Sequence, residues 1–235
     1  MKNTSPLFQQ SATKRSLVLA GGGIRLAYHA GLLKALEEEG YSFWHVDGTS
    51  GGIFNTAMLA SGLRPTEMCE RWRHLPARYF NALLPVYDYL PFWRLPGFAS
   101  TNGIRDKVFP FLGIDLAKMK VNEEFLATFN ICNFSTKTLE NFKANEVEMN
   151  LLMAGLSLPI FMPSLKIDGD FFTDVVWVKD SNVMAAVQQG AEEVWLVWCI
   201  GDSREYYDGS FVQYVHMLEI SSAGGVWHEL QWLLM

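Results

Sequence analysis

The sequence has too few cysteines for a disulfide framework: only Cys69, Cys132 and Cys199, far apart, odd in number and without a Cys-x-x-Cys pair. That also removes the common zinc spacings, and no His-Glu-x-x-His run is present, so no metal is expected. Cys132 and Cys199 lie in apolar runs and are expected as small buried hydrophobes in a reducing, cytoplasmic setting. No basic stripe accompanies the net charge of −6, which argues against a nucleic-acid partner. Anionic lipid would not be held by charge either, so peripheral contact with a membrane would rest on apolar side chains. Residues 1–16 lack the apolar stretch of a signal peptide. The longest apolar segment, Leu151 to Ile167, is broken by Pro159 and Pro163 and is a poor bilayer span.

What is present is an apolar, aromatic-rich chain of 235 residues, 49% hydrophobic, enough for one α/β domain with a substantial core. Residues 1–15 are expected to form a flexible arm and 16–235 a single domain. Ser16 to Ala20 is a short buried strand running into Gly21-Gly22-Gly23. Apolar positions from Leu26 to Glu39 recur at helical spacing and stop at Gly40, a C′ cap. Tyr41 to Val46 is a second strand, again followed by glycine, and Ile53 to Ser61 a small-residue helix. Strand, glycine loop and helix, twice over, predict a mainly parallel sheet in a three-layer α/β/α sandwich.

Pro65 to Leu75 predicts an amphipathic helix. Residues 76–100 are irregular, with Pro85, Pro91 and Pro96 among many aromatics, and are expected to form a cap or flap. Strand Phe125 to Phe134, a helix from Glu146 to Leu156, a hairpin of Leu165–Asp168 and Phe171–Val178, helix Val183–Gln189 and strand Glu193–Ile200 come next. Two closing helices, Phe211–Ile220 and Val226–Met235, bring the chain to its end.

Gly48-Thr49-Ser50-Gly51-Gly52 fits G-x-S-x-G between a strand and a helix. A serine on so tight a turn sits in strained geometry with its hydroxyl over the carboxyl end of the sheet, as a nucleophile requires. The plainer role is that of a helix N-cap. The Gly21–Arg25 loop offers backbone N–H groups for an anion. In acyl transfer these would hold the oxyanion, each donor worth about 3–4 kcal/mol. A dinucleotide site is the rival use, with Asp47 at suitable distance, but Leu26 fills the place of the third glycine. A Ser-His-Asp triad would draw on His29, His45, His74, His216 or His228.

GGGIRLAYHAGLLKALEEEG, then DGTSGG, then NLLMAGLSLPIFMPSLKIDGDFFTDVV and GAEEVWLVW together resemble the patatin-like phospholipase family over most of residues 16–201. The resemblance implies an acyl hydrolase for phospholipid or related acyl-ester substrates that needs no cofactor. It implies Ser50 as nucleophile, Asp174 as its base, and an oxyanion hole from Gly21, Gly22, Gly23 and Arg25 with Gly51. Arg25 is expected to brace the loop, its side chain fixing the backbone or pairing with a carboxylate. Leu26 departs from the family's glycine and Val175-Val176 from its Asp-Gly-Gly/Ala, placing bulk near the site. These two departures motivate a second reading, a catalytically weak or silent lipid-binding relative. Asp168 and Asp170 are the alternatives to Asp174.

Overall fold

The computed structural model describes residues 5–8, 13–84, 86–89, 95–200 and 205–235. Its strands are β1 (Arg15–Leu19), β2 (His45–Thr49), β3 (Leu126–Asn133), β4 (Thr138–Lys143), β5 (Leu165–Ile167), β6 (Asp170–Thr173) and β7 (Glu193–Val197). They form one mixed sheet in the order β5-β6-β3-β2-β1-β7, with β4 also on β3. The helices are α1 (Ala27–Glu38), α2 (Gly52–Ala60), α3 (Pro65–His74), α4 (Phe109–Leu112), α5 (Leu116–Lys120), α6 (Met149–Gly155), α7 (Val183–Gln188) and α8 (Ser210–Leu233).

The sheet has two unlike faces because side chains alternate along each strand. Leu17, Leu19, Val46, Ala127 and Phe129 point into the main apolar core with Leu26, Leu33, Ile53 and Met58 from α1, α2 and the turn before α1. On the opposite face a buried polar layer forms. Asp47 accepts from Thr128 Oγ1 at 2.5 Å, from Asn141 Nδ2 at 3.1 Å and from Asn130 Nδ2. His45 is hydrogen-bonded to Ser16 and Thr128, and Asn182 donates to Asn130 from the segment that opens α7. Unpaired, each such group would be costly to bury; linked, they fix how the 174–188 segment lies on the sheet.

The register along β3 explains how distant residues meet. One edge of β3 carries β4 from residue 128 to 133. The other edge carries parallel β2 as far as Asn130↔Thr49, and then antiparallel β6 at Cys132↔Thr173 and Asn133↔Phe172. β2 and β6 therefore run toward each other along one edge, and the residues just beyond them, Ser50 and Asp174, meet end to end.

Several boundaries differ from the sequence expectation. Pro6–Phe8 of the expected arm is a 3-10 turn with Leu7 and Phe8 buried, and Phe8 stacks on Phe125 at 3.8 Å. β2 starts at His45 because the Tyr41 and Phe43 N–H groups bond to Leu36 and Leu7, and the chain joins β1 only where the Trp44 N–H meets the Arg15 carbonyl. β6 stops at Thr173, since Asp174 turns the chain out of the ladder. The two closing helices are one, α8, running through Gly224 and Gly225. Tertiary contact overrides low helix propensity here: a Cβ at Gly225 would stand 3.4 Å from Lys179 Cα, and Ser221 Oγ donates to the Val176 carbonyl at 2.9 Å. Of the 76–100 segment, residues 85 and 90–94 lie outside the described residues. Its remainder holds two 3-10 turns, with Leu83, Val86, Tyr87 and Phe98 exposed.

Candidate active site

Ser50 takes φ +50°, the left-handed region that a residue with a side chain seldom occupies. The surroundings hold it there. Gly52 must be glycine, because a Cβ would stand 2.1 Å from the Leu19 carbonyl oxygen; this lets α2 start against β1. Ser50 does not cap α2 with its side chain. Its Oγ donates instead to Asp174 Oδ2 at 2.6 Å, across 124 residues of sequence.

Asp174 is itself oriented. Its Oδ1 accepts the Val176 N–H at 2.9 Å, leaving Oδ2 for the serine, and its own N–H donates to Ser157 O at 3.1 Å. Burial pushes the Asp174 carboxyl up to about 6, partly offset by the Ser50 hydroxyl and the Val176 and Val175 N–H groups. Asp168 and Asp170 are elsewhere: Asp168 is at the hairpin tip with φ +50°, and Asp170 accepts from Asn133.

The glycine loop differs from expectation in two donors. The Gly21 N–H donates to the Asp180 carbonyl at 3.1 Å, and the Arg25 N–H to Gly22 O at 3.2 Å. Gly22, Gly23 and Gly51 have N–H groups with no acceptor among the described residues. The Arg25 side chain is exposed and has no ion pair among the described residues, so it does not brace the loop. Neither departure from the family pattern projects into the open. Leu26 is buried in the core and lies against Gly51, where a Cβ would stand 2.4 Å from Leu26 Cδ2. Val175 and Val176 are buried too.

No histidine bonds to Ser50 among the described residues. His29 is fully buried, pushed down to about 4 by burial, with Nε2 3.4 Å from Cys199 Sγ. His45 belongs to the polar layer; His216 and His228 lie on α8. Asp47, the ribose ligand of the dinucleotide reading, is fully buried with its oxygens bonded to Thr128, Asn130 and Asn141. No cluster of His, Cys, Asp and Glu fit to hold a metal occurs among the described residues.

Two buried acids were not anticipated, the first of them beside the site. Asp180 is fully buried next to Gly21, and Glu229 of α8 accepts from Lys179, Val183 and Met184. An Asp two residues before an Asn N-cap carries no sequence signal of its own; its meaning comes from the fold.

The sequence profile described as "Patatin-like phospholipase" matches residues 17–213. The chain belongs to the patatin-like phospholipase family. Patatin-like phospholipase domain-containing protein 6 of Homo sapiens is 28% identical over 183 residues, covering 76% of this chain and 13% of that protein. Lysophospholipase NTE1 of Lodderomyces elongisporus is 27% identical over 188 residues, covering 77% and 12%. The patatin-like chain thus spans a small part of these relatives' length. Among solved structures, VipD from Legionella pneumophila aligns with TM-score 0.48 at 14% identity over 70% of this chain and 46% of that one. The type III effector ExoU aligns at TM-score 0.42 and 16% identity over 92% and 53%. No helix among the described residues of this patatin-like chain is long and apolar enough to cross a membrane.

Proposed function

We propose that this chain is a serine acyl-ester hydrolase acting on phospholipids or lysophospholipids, with Ser50 as nucleophile and Asp174 as its base. The observation that carries the reading is the 2.6 Å hydrogen bond from Ser50 Oγ to Asp174 Oδ2, made by a serine held at φ +50°.

Asp174 Oδ2 takes the hydroxyl proton as Oγ attacks the ester carbonyl carbon. The N–H groups of Gly22, Gly23 and Gly51 are the donors left to hold the oxygen that becomes negative. Collapse of the tetrahedral intermediate expels the alcohol, which leaves with the proton from Asp174, and the acyl group stays on Ser50. Asp174 then deprotonates water, whose oxygen attacks the acyl-serine; collapse breaks the acyl–Oγ bond, releases the fatty acid and returns the proton from Asp174 to Ser50 Oγ. A carboxylate raised to about 6 is a better base than an ordinary one and is still mostly ionised at neutral pH. No cofactor enters this chemistry.

A row of aromatic rings supports an acyl-chain substrate. Trp177 contacts Tyr214 at 5.6 Å, Tyr214 contacts Phe161 at 5.1 Å, and Phe161 contacts Phe211 at 5.7 Å and Phe98 at 6.4 Å. Tyr214 is close enough to Asp174 for the carboxylate to help push its phenol up, second to burial, while Phe98 and Phe211 are exposed. The row thus offers an apolar path between the dyad and the surface, and it gives any peripheral membrane contact its apolar side chains.

The test is ester hydrolysis by wild type, Ser50→Ala and Asp174→Asn, with fluorophosphonate labelling of Ser50. Wild type is expected to turn over and to be labelled, with losses of about 10⁴-fold or more in kcat for either variant. A folded wild type that neither labels nor hydrolyses would support the silent, lipid-binding alternative.

A further inference from the structure

Asp180 is a carboxyl beside the Ser50–Asp174 pair that the mechanism leaves unused. It is fully buried, and neither Oδ1 nor Oδ2 has a hydrogen-bond partner among the described residues. Its position is fixed by the glycine loop: a Cβ built on Gly21 would stand 2.1 Å from Asp180 Oδ1 and 2.9 Å from Ser50 Cβ. The carboxyl and the serine side chain therefore flank the same spot above Gly21. Its main chain removes one donor from that spot, since the Asp180 carbonyl takes the Gly21 N–H.

The groups around it favour a neutral acid. Asp174 faces it from the turn after β6, and the Cys199 thiol, pushed up chiefly by burial and so uncharged, faces it from beyond β7. Lys179, the adjacent cation, is committed to Glu229, and Arg25 is at the solvent edge. Burial pushes the Asp180 carboxyl well up and the Asp174 charge adds to this; the Gly21 N–H beside it, which would lower it, is spent on the Asp180 carbonyl. Two buried carboxylates so placed cannot both ionise cheaply, and Asp174 already has a serine hydroxyl and two N–H groups to stabilise its charge.

We infer that Asp180 is a third functional acid of the site, a neutral carboxyl whose O–H donates to the carbonyl oxygen of the bound ester, alongside Gly22 and Gly23 and in place of the Gly21 N–H. An unpartnered O–H held out of water is costly until an acceptor arrives, and the ester carbonyl is such an acceptor, its affinity rising as charge develops on it. A buried, protonated aspartic acid serving an oxyanion in this way has precedent in ketosteroid isomerase. The proton stays on Asp180 throughout, so the hydrolysis balance is unchanged. The inference rests on the reading of Ser50 as nucleophile.

The test compares wild type, Asp180→Asn and Asp180→Ala in para-nitrophenyl ester hydrolysis across pH. Infrared difference spectra of wild type against Asp180→Asn, at neutral pH, accompany it. Asn keeps a donor and cannot ionise. It is expected to retain kcat within about tenfold and to lose the alkaline limb that wild type shows when Asp180 finally ionises; Ala is expected to lose about 10²–10³-fold in kcat with KM little changed. The difference spectrum is expected to contain the C=O stretch of a protonated carboxyl. Wild-type kcat in the Ala variant, an unchanged alkaline limb in the Asn variant, or no such stretch overturns the role of Asp180. If Ser50→Ala retains turnover, the nucleophile reading fails first and takes this inference with it.

Discussion

Lys179 Nζ stands 2.7 Å from Oε1 of Glu229, a pair that ties the segment carrying Asp174 and Asp180 to the C-terminal part of α8. The two Glu229 oxygens also accept the N–H groups of Val183 and Met184, at 3.0 and 3.3 Å, so a residue from a remote helix caps α7. Glu229→Ala would leave a half-buried ammonium and two N–H groups without their acceptor. The expected cost is about 3 kcal/mol, at the lower end for a broken buried pair because Lys179 keeps some access to water. Urea unfolding measures it; a loss below about 0.5 kcal/mol would mean the pair has no structural weight.

Asp174 acts as a base only when ionised. Its carboxyl is raised to about 6, so kcat/KM is expected to rise with pH through a midpoint near 6 and to hold a plateau until the alkaline limb set by Asp180. A profile flat from about pH 5 to 7 would remove Asp174 from the proton-transfer step.

Stability is expected to run the other way. Asp47 and Asp174 both have folded-state values above those of an unfolded aspartate, about 7 and about 6 against 3.8, with burial the leading cause in each. The folded state then binds more protons, so their contribution is fully present below about pH 4 and is lost as pH rises through 6 to 7. His29 and His45, buried neutral and pushed down to about 4 by burial, act in the opposite sense once pH falls below 6.5. The comparison with Asp47→Asn isolates the carboxyl: the melting temperature of wild type should gain on that of the variant as pH is lowered from about 8 to 5, and a difference that stays constant over that interval would contradict the assignment.

Gly22 and Cys199 should show strong coupling. A Cβ at Gly22 would stand 2.1 Å from Cys199 Sγ but 3.7 Å from Cys199 Cβ. Gly22→Ala alone is expected to displace the glycine loop and reduce kcat by tenfold or more, on the order of 1–2 kcal/mol in the barrier. Adding Cys199→Ala removes the sulfur and should restore most of the loss. Additive effects in the double-mutant cycle would show that the two do not touch.

The serine turn was visible in the sequence because its requirements are local: glycines flank Ser50 wherever the chain must turn that sharply. The first two strand–loop–helix units were visible for the same reason, through short-range periodicity and the Gly40 stop. Gly40 has φ +76°, as a C′ residue should. What escaped was set by contacts across the fold. Gly224 and Gly225 look like a helix break until the 174–182 segment is packed against Gly225. The Gly21 and Arg25 N–H groups look free until their acceptors at Asp180 and Gly22 are in place. Arg25 looks like a brace, yet no carboxylate comes to it among the described residues. Asp180 had no motif to announce it, because only the meeting of two distant loops makes it part of the site.

The head-on approach of β2 and β6 along one edge of β3 makes the hairpin of residues 165–173 intolerant of changes in length. One residue inserted or deleted between Gly169 and Thr173 would displace the chain from Asp174 onward by one strand step, about 3.3 Å, and turn each side chain to the opposite face. Ser50 would then confront a valine or a threonine while its own turn stayed intact. Variation in this hairpin should therefore be conspicuous in composition and nearly absent in residue count wherever the hydrolytic pair is kept.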